Sequence, residues 1–120
     1  MIYNLTGHDI NINGKIIKPE GLDKIVRLAP LDFLYSFEID DDIEVAIYRK
    51  PESMRLPPYK AGVYYIVSRV VAEYNRDRPD LLFPDTTKHS AVRLPSGEIY
   101  MTTRLSSVYD GYIDGTFIHE

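Results

Sequence analysis

The sequence contains no cysteine and no tryptophan, and it has no long apolar run. The absence of cysteine excludes a disulfide framework, a thiol nucleophile and cysteine-ligated zinc. No apolar segment approaches the roughly 18–20 residues that a membrane-spanning helix needs. The first residues carry neither a basic region nor an apolar signal core, so we expect a protein that is not secreted and that acts in the cytoplasm.

Positive charge is also scarce, because 14 Lys and Arg face 18 Asp and Glu and leave a net charge of −4. This balance argues against duplex nucleic acid as a partner, since such binding depends on many basic contacts to phosphates. A small anion stays possible, because a few arginines in one pocket are enough to bind it. The length of 120 residues, with 44% apolar and 27% charged residues, is typical of one globular domain.

Tyrosine is the abundant aromatic residue, with ten Tyr against four Phe. Its ring has an apolar face and its hydroxyl is polar, which suits protein interfaces and stacking on ligand rings. The alternative is that these tyrosines occupy half-buried strand positions.

Alternating apolar residues separated by turn residues predict a chain of short strands. Asn13-Gly14 predicts a tight hairpin, because this pair tolerates the positive φ angles of a type I′ turn. Asp40-Asp41-Asp42 predicts an acidic hairpin turn, with a divalent-cation site as the alternative. The predicted strands and hairpins cover residues 2–6, 9–18, 24–29, 33–39, 43–49, 63–67 and 91–105.

One short helix is predicted after the apolar run that ends at Val67. Ser68 fits an N-cap, helical spacing follows it, and Pro79 limits the helix to about 69–76. No βαβ alternation is apparent. The predicted fold class is therefore α+β, mainly antiparallel β with one short helix. Residues 1–105 are expected to form a compact domain, and residues 106–120 a C-terminal extension that is either a small hairpin or an arm in an oligomer interface.

Polar side chains are concentrated around the predicted helix. A helix N-terminus at Ser68 offers free amides to an anion, and Arg69 and Arg78 could add bidentate contacts. Tyr65 precedes this group and Asp85 follows it. The alternative is that Arg78 pairs with an aspartate and only fixes the proline-containing turn.

His8 is the histidine of most interest, because it follows the first strand and precedes Asp9. A His–Asp pair can provide an oriented general base, but His8 could equally be a turn residue bonded to the backbone. No second histidine stands at helical spacing, and neither GxGxxG nor a P-loop is present. We therefore predict no metal and no cofactor. Asn4 and His8 are expected to be rim groups of a ligand site.

Several segments occur in an order that resembles a family of small uncharacterised proteins from tailed phages, prophages and bacteria. The segments are IYNLTGHDI, RLPPYKAG, YYIVSRVVAE, RPDLLFPDT and VRLPSGEI, and they cover about residues 2–105. Gly7 departs from the family pattern, which usually has proline there. The family pattern is matched by Asn4, Leu5, Thr6, His8, Tyr65, Ile66, Val67, Ser68, Arg78, Asp80, Pro84 and Asp85.

The resemblance implies a cytoplasmic phage-encoded accessory protein. We expect it to bind a small anionic ligand and to sequester a nucleotide-derived immune signal, of the cyclic nucleotide or ADP-ribose type, to counter host defence. A homo-oligomer, a dimer or larger, is also expected. One alternative is a small phosphodiesterase or nucleotide hydrolase that uses His8, and another is a protein-binding inhibitor or minor structural subunit. The expected ligand-binding residues are Tyr65, Ser68, Arg69, Arg78, Asp85, Asn4 and His8.

Overall fold

The computed structural model describes residues 1–27, 31–49 and 55–117. These residues form ten strands and two short α-helices, so the α+β fold with mainly antiparallel pairing is confirmed. The strands are β1 Ile2–Asn4, β2 Ile10–Ile12, β3 Lys15–Ile17, β4 Asp32–Ile39, β5 Ile43–Arg49, β6 Tyr64–Ile66, β7 Leu81–Pro84, β8 Ala91–Arg93, β9 Ile99–Thr102 and β10 Leu105–Ser106; the helices are α1 Arg69–Glu73 and α2 Asp110–Ile113.

The first sheet has the order β1-β6-β7-β10. Its first three strands are parallel, and β10 is antiparallel to β7. Because α1 lies between the parallel strands β6 and β7 in the sequence, this part of the chain is a βαβ unit. The expectation that the chain has no such unit is therefore wrong. The sequence pattern concealed it because the helix has five residues, far fewer than the crossover helices of ordinary βαβ units.

The predicted helix is confirmed, but it ends at Glu73 rather than at residue 76. Ser68 caps it, since its hydroxyl accepts a hydrogen bond from the Val71 amide at 3.4 Å. After Glu73 the chain turns, with the Arg78 amide bonded to the Asn75 carbonyl. The buried core lies between α1 and the first sheet, and it is formed by Leu5, Val26, Val67, Val71, Ala72 and Leu81.

The second sheet has the order β3-β2-β9-β8. The predicted Asn-Gly hairpin joins β2 to β3, with φ of 53° at Asn13 and 89° at Gly14. The last predicted hairpin is also present as β8–β9, although its second strand ends at Thr102 and β10 continues in the first sheet. The Thr102 hydroxyl donates a 2.6 Å hydrogen bond to the Asp85 carbonyl, which ties the two sheets together.

The strands β4 and β5 form a separate two-stranded hairpin. Both strands and the Asp40–Asp42 turn were predicted correctly. All eight residues of β4 are exposed, and in the part of the chain that the structure describes no other strand pairs with this hairpin. The radius of gyration of 17.8 Å exceeds the roughly 14 Å expected for a compact chain of this length, which fits a projecting hairpin.

Two other segments differ from the sequence prediction. The strand predicted for 24–29 is wrong over its first four residues, because Lys24 ends a 3-10 turn and 25–27 form no strand; residues 28 and 29 lie outside the described residues. Instead, the Val26 amide bonds the Leu5 carbonyl at 3.0 Å. The Val26 side chain is buried by packing against the core and not by strand pairing.

Over residues 106–117 the C-terminal segment packs on the domain and contains α2 instead of a small hairpin, and its expected part in an oligomer interface stays a prediction. The Asp110 amide bonds the Arg76 carbonyl at 2.9 Å, and the predicted boundary after residue 105 falls inside β10. Tyr109, Tyr112 and Phe117 pack edge to face, with ring centroids 5.0–5.4 Å apart. Aromatic contacts of this geometry fix α2 in place. Among the described residues, no helix is long and apolar enough to cross a membrane.

Candidate functional site

A cleft opens where the three parallel strands of the first sheet end. Thr6, Ser68 and Thr86 follow β1, β6 and β7 within two residues of each strand end. Parallel strands place their carboxyl ends at one edge, and open sheets with helical crossovers bind ligands in the crevice outside that edge. The cleft has a volume of about 790 Å³ and is lined by Thr6, Gly7, His8, Ile10, Ile25, Val26, Arg27, Val67, Ser68, Arg69, Phe83, Pro84 and Thr86.

A second cavity of about 410 Å³ continues the cleft along the second sheet. Its walls include Ile16, Tyr100 and Met101, and it shares His8, Ile10, Pro84 and Thr86 with the first cavity. Each volume lies within the roughly 300–1,000 Å³ that is typical of small-molecule sites. The two cavities therefore form one concave surface large enough for a nucleotide-sized ligand.

The cleft has an apolar floor and a basic rim. Buried or half-buried Ile10, Val67 and Phe83 contribute to its floor, whereas Arg27 and Arg69 are exposed at its edge. Among the described residues, no acidic side chain lines the main cavity, whereas Asp9 lines the second cavity. An anion with a flat apolar moiety matches this combination, because guanidinium groups bind phosphate and carboxylate in bidentate geometry.

The two rim arginines are available to a ligand to different degrees. Arg69 Nε lies 2.8 Å from Glu73 Oε1, but the pair is solvent-exposed, with 72% of the Arg69 side chain accessible. Exposed pairs of this kind contribute little stability, so an anionic ligand can replace Glu73 as the partner of the Arg69 guanidinium. Arg27 forms no ion pair with any residue that the structure describes.

His8 lines both cavities, and its position is fixed through its backbone. The His8 carbonyl accepts a hydrogen bond from the Asn4 side-chain amide at 2.9 Å, and the Thr6 hydroxyl oxygen lies 3.1 Å from it. Among the described residues, no hydrogen bond joins the Asp9 carboxylate to the imidazole, and this carboxylate lies 3.7 Å from the Lys18 ammonium. The His–Asp general base considered from the sequence therefore has no geometric support.

Asn4 lies beneath the cleft and supports the loop that carries His8. It is completely buried. Its amide nitrogen donates to the carbonyls of His8 and Ile17, and its oxygen accepts from the amide and hydroxyl of Thr6. With all these bonds satisfied inside the protein, Asn4 positions the site and offers no free group to a ligand.

Tyr65 and Arg78 lie outside the cleft. The Tyr65 ring stacks on Tyr3, with centroids 5.9 Å apart. Arg78 donates to both carboxylate oxygens of Asp80 at 2.9 and 2.7 Å and to the Pro57 carbonyl at 2.7 Å. The hydrogen bond to Asp80 raises the pKa of Arg78. This arrangement corresponds to the alternative in which Arg78 fixes the turn.

Asp85 also lies outside the residues that line the cleft, but it holds the adjacent Thr86 in place. Its carboxylate accepts hydrogen bonds from the Thr87 amide at 2.9 Å and from Arg104 Nε. Hydrogen bonding to Thr87, followed by the Arg104 contact, lowers the pKa of Asp85 well below its usual range. The carboxylate is thus an internal anchor of the β7 end.

Of the seven residues expected to bind a ligand, three line the cleft, namely His8, Ser68 and Arg69. Sequence reasoning missed Arg27, Thr6 and Thr86 as members of the same site. The available signal was a hydroxyl residue shortly after each of three apolar segments, which gains meaning only when those segments are known to be parallel neighbours. Arg27 had no comparable signal, since it lay in a predicted strand.

The described residues contain no group of three or more His, Asp or Glu side chains placed to hold a metal ion. No family model, curated protein or solved structure matches this chain. The resemblance to a family of small phage proteins therefore stays a prediction from the sequence.

Proposed function

We propose that this protein binds a small anionic ligand in the cleft at the carboxyl ends of β1, β6 and β7. The observation that carries the proposal is the combination of a concave apolar floor with two rim arginines and no acidic side chain in the main cavity among the described residues. Arg27 and Arg69 would bind the anionic group, and Ser68 and Thr86 would add hydroxyl contacts. The apolar floor would accept a ring.

A nucleotide-derived molecule combines these two features in one ligand. Within the described residues, no hydrogen bond joins the Ser68 hydroxyl or the His8 imidazole to a carboxylate, so the lining shows no nucleophile oriented by a general base. Sequestration without turnover therefore suits the site better than hydrolysis. In the phage context expected from the sequence, the ligand would be an immune signal of the cyclic nucleotide or ADP-ribose type, bound in the cytoplasm of an infected bacterium.

A thermal-shift screen tests the proposal with nucleoside phosphates, cyclic nucleotides, cyclic dinucleotides and ADP-ribose. A ligand that binds only the folded protein raises the melting temperature by mass action. Mass spectrometry of the ligand after heat release distinguishes sequestration from hydrolysis. Intact ligand supports sequestration, chemically altered ligand replaces it with hydrolysis, and the absence of any shift across the panel contradicts the proposal.

Substitution of the rim arginines provides the residue-level test. We expect Arg69→Ala and Arg27→Ala each to weaken binding about tenfold or more, because a hydrogen bond to a charged group contributes roughly 1.5–3 kcal/mol. Isothermal titration with the ligand found in the screen measures this loss. Arg93→Ala is the matched control, since Arg93 is an exposed arginine on β8 that lines neither cavity. If Arg27→Ala and Arg69→Ala bind the ligand as tightly as Arg93→Ala, neither rim arginine contacts the ligand.

A further inference from the structure

The projecting β4–β5 hairpin has one face on which three successive residue pairs are apolar, with the Asp32–Arg49 pair beyond them at the open end. The strand register pairs Tyr35 with Ile47, Phe37 with Val45, and Ile39 with Ile43. Directly paired residues of an antiparallel ladder point to the same side, and these pairs alternate with the others along the strands. The apolar face is therefore formed by Tyr35, Phe37, Ile39, Ile43, Val45 and Ile47.

The opposite face of the hairpin has a different character. It carries the pairs Glu38–Glu44 and Ser36–Ala46, so two carboxylates lie next to each other there. The same face also carries Ala46 and, at the open end, the aromatic pair Phe33 and Tyr48, which are 57% and 52% exposed. This face is thus charged near the tip and aromatic at the open end, whereas the other face is apolar over three successive pairs.

The apolar face is uncovered in the part of the chain that the structure describes. Tyr35 is 57% exposed, Phe37 46%, Ile39 44% and Ile43 50%. An isolated two-stranded hairpin is marginally stable in water and needs a further layer against its apolar face. We therefore expect another protein surface to pack against this apolar face.

From these features we infer that the apolar face of the β4–β5 hairpin is a self-association surface, on which a second copy of this chain packs about a two-fold axis. The inference concerns a surface distinct from the ligand cleft, and it does not depend on the proposed ligand. A two-fold interface uses the same patch on both copies. Six uncharged side chains form a patch that can face itself without placing like charges together.

The charge distribution along the hairpin selects the orientation of the second copy. The tip carries Asp40, Asp41 and Asp42, whereas the open end carries Arg49, whose guanidinium lies 4.0 Å from the Asp32 carboxylate. A parallel arrangement would bring six tip carboxylates together and is repulsive. An antiparallel arrangement places each acidic tip beside the open end of the partner.

The spacing of these groups fits the antiparallel arrangement. Along β5 and the turn, Asp41 and Arg49 each lie four residues from Val45, in opposite directions. At a strand rise of about 3.3 Å per residue, Arg49 is roughly 13 Å from the central Phe37–Val45 pair, and Asp41 lies in the turn beyond Ile43, at the other end of the hairpin. A two-fold axis at that pair therefore brings the acidic tip of each copy to the end of the partner that carries Arg49.

The size of the face predicts a reversible dimer. Half-exposed aromatic and aliphatic side chains of this number offer roughly 400–500 Å² per copy, and two such faces approach the lower end of the ~1,200–2,000 Å² range of specific interfaces. We therefore expect a monomer–dimer equilibrium that depends on concentration.

Sedimentation velocity of the full chain, from low micromolar to near-millimolar concentration, tests the self-association. We expect the wild type to shift from monomer to dimer and Phe37→Glu to stay monomeric, since the substitution would bury a charge in the centre of the face. Ser36→Glu is the matched control, because it introduces the same charge one residue away on the opposite face, and we expect it to dimerise. A wild type that is monomeric throughout, or a Phe37→Glu variant that dimerises equally well, overturns the inference.

Disulfide trapping tests the orientation without altering the apolar face, and it is straightforward because the chain has no cysteine of its own. A mixture of Asp41→Cys and Arg49→Cys chains should crosslink faster than Asp41→Cys alone. Faster crosslinking of Asp41→Cys alone would show that the tips meet and would overturn the antiparallel arrangement. Crosslinking that is equally slow in all mixtures would overturn the use of this face.

Discussion

At the scale of single residues, the same charged side chain has a different consequence when it is buried than when it is exposed. Arg78 and Arg69 both form ion pairs, but the Asp80 side chain beside Arg78 is 1% exposed and the Glu73 side chain beside Arg69 is 34% exposed. A buried carboxylate depends on its partner because water cannot replace it. Arg78 is therefore a structural residue, whereas Arg69 can exchange its partner for a ligand.

Arg78→Ala tests this difference. The variant leaves the buried Asp80 carboxylate without its bidentate donor, so we expect the free energy of unfolding to fall by about 3–5 kcal/mol. Arg69→Ala is the control and should lose less than about 1 kcal/mol. Urea denaturation followed by circular dichroism measures both. Similar losses in the two variants would contradict the structural role of Arg78.

At the scale of elements, short helices depend on tertiary contacts more than on their own hydrogen bonds. The helices α1 and α2 span five and four residues, which is far below the length at which an isolated helix is stable. The capping Ser68 and the buried Val71 hold α1, while α2 depends on the aromatic cluster of Tyr109, Tyr112 and Phe117. A change in that cluster should therefore affect the whole C-terminal segment.

Gly111→Ala tests the packing of α2. A Cβ atom at position 111 would lie 2.5 Å from Cε2 of the Tyr109 ring, so the ring must move out of the cluster. We expect a loss of about 1–3 kcal/mol, as for other overpacked sites. Gly7→Ala is the control, because its Cβ would meet Ile25 at an ordinary 3.5 Å. Equal thermal stability of the two variants would show that the Tyr109 ring accommodates the methyl group at no cost.

At the scale of the whole molecule, the chain divides its tasks between the two linked sheets and the projecting hairpin. The first sheet and the start of the second form the cleft, whereas the apolar hairpin face lies on strands that pair only with each other within the described residues. Ligand binding and self-association can therefore be altered separately. A variant such as Phe37→Glu should keep the cleft intact.

Hydrogen exchange should reveal this division. In dilute solution we expect the amides of β4 and β5 to exchange much faster than those of β6, because a lone hairpin opens readily and β6 lies between two strands. The protection of β4 and β5 should rise with protein concentration, while that of β6 should not change. Strong protection of the hairpin at the lowest concentration would mean that its apolar face is covered within the monomer.

Much of the local structure could be predicted from the sequence, because its causes lie within a few residues. Asn13-Gly14 supplies a turn with positive φ angles, Ser68 supplies a helix cap, and the alternation in IEVAIYR gives β5. Of the candidate site, the sequence indicated His8, Ser68 and Arg69. It could not separate them from Arg78 and Asp85, because the type of a charged residue does not reveal whether its side chain binds a ligand or fixes a turn.

By itself, the sequence determined a small α+β chain of short strands, a hairpin with an acidic turn and a capped helix, since these follow from local periodicity and turn chemistry. Only the tertiary structure decided that β1 and β7 flank β6 in parallel. That pairing joins residues far apart in the chain, and no local pattern encodes it. The cleft exists because of it, as three strand ends and Arg27 meet at one edge only after the chain has folded.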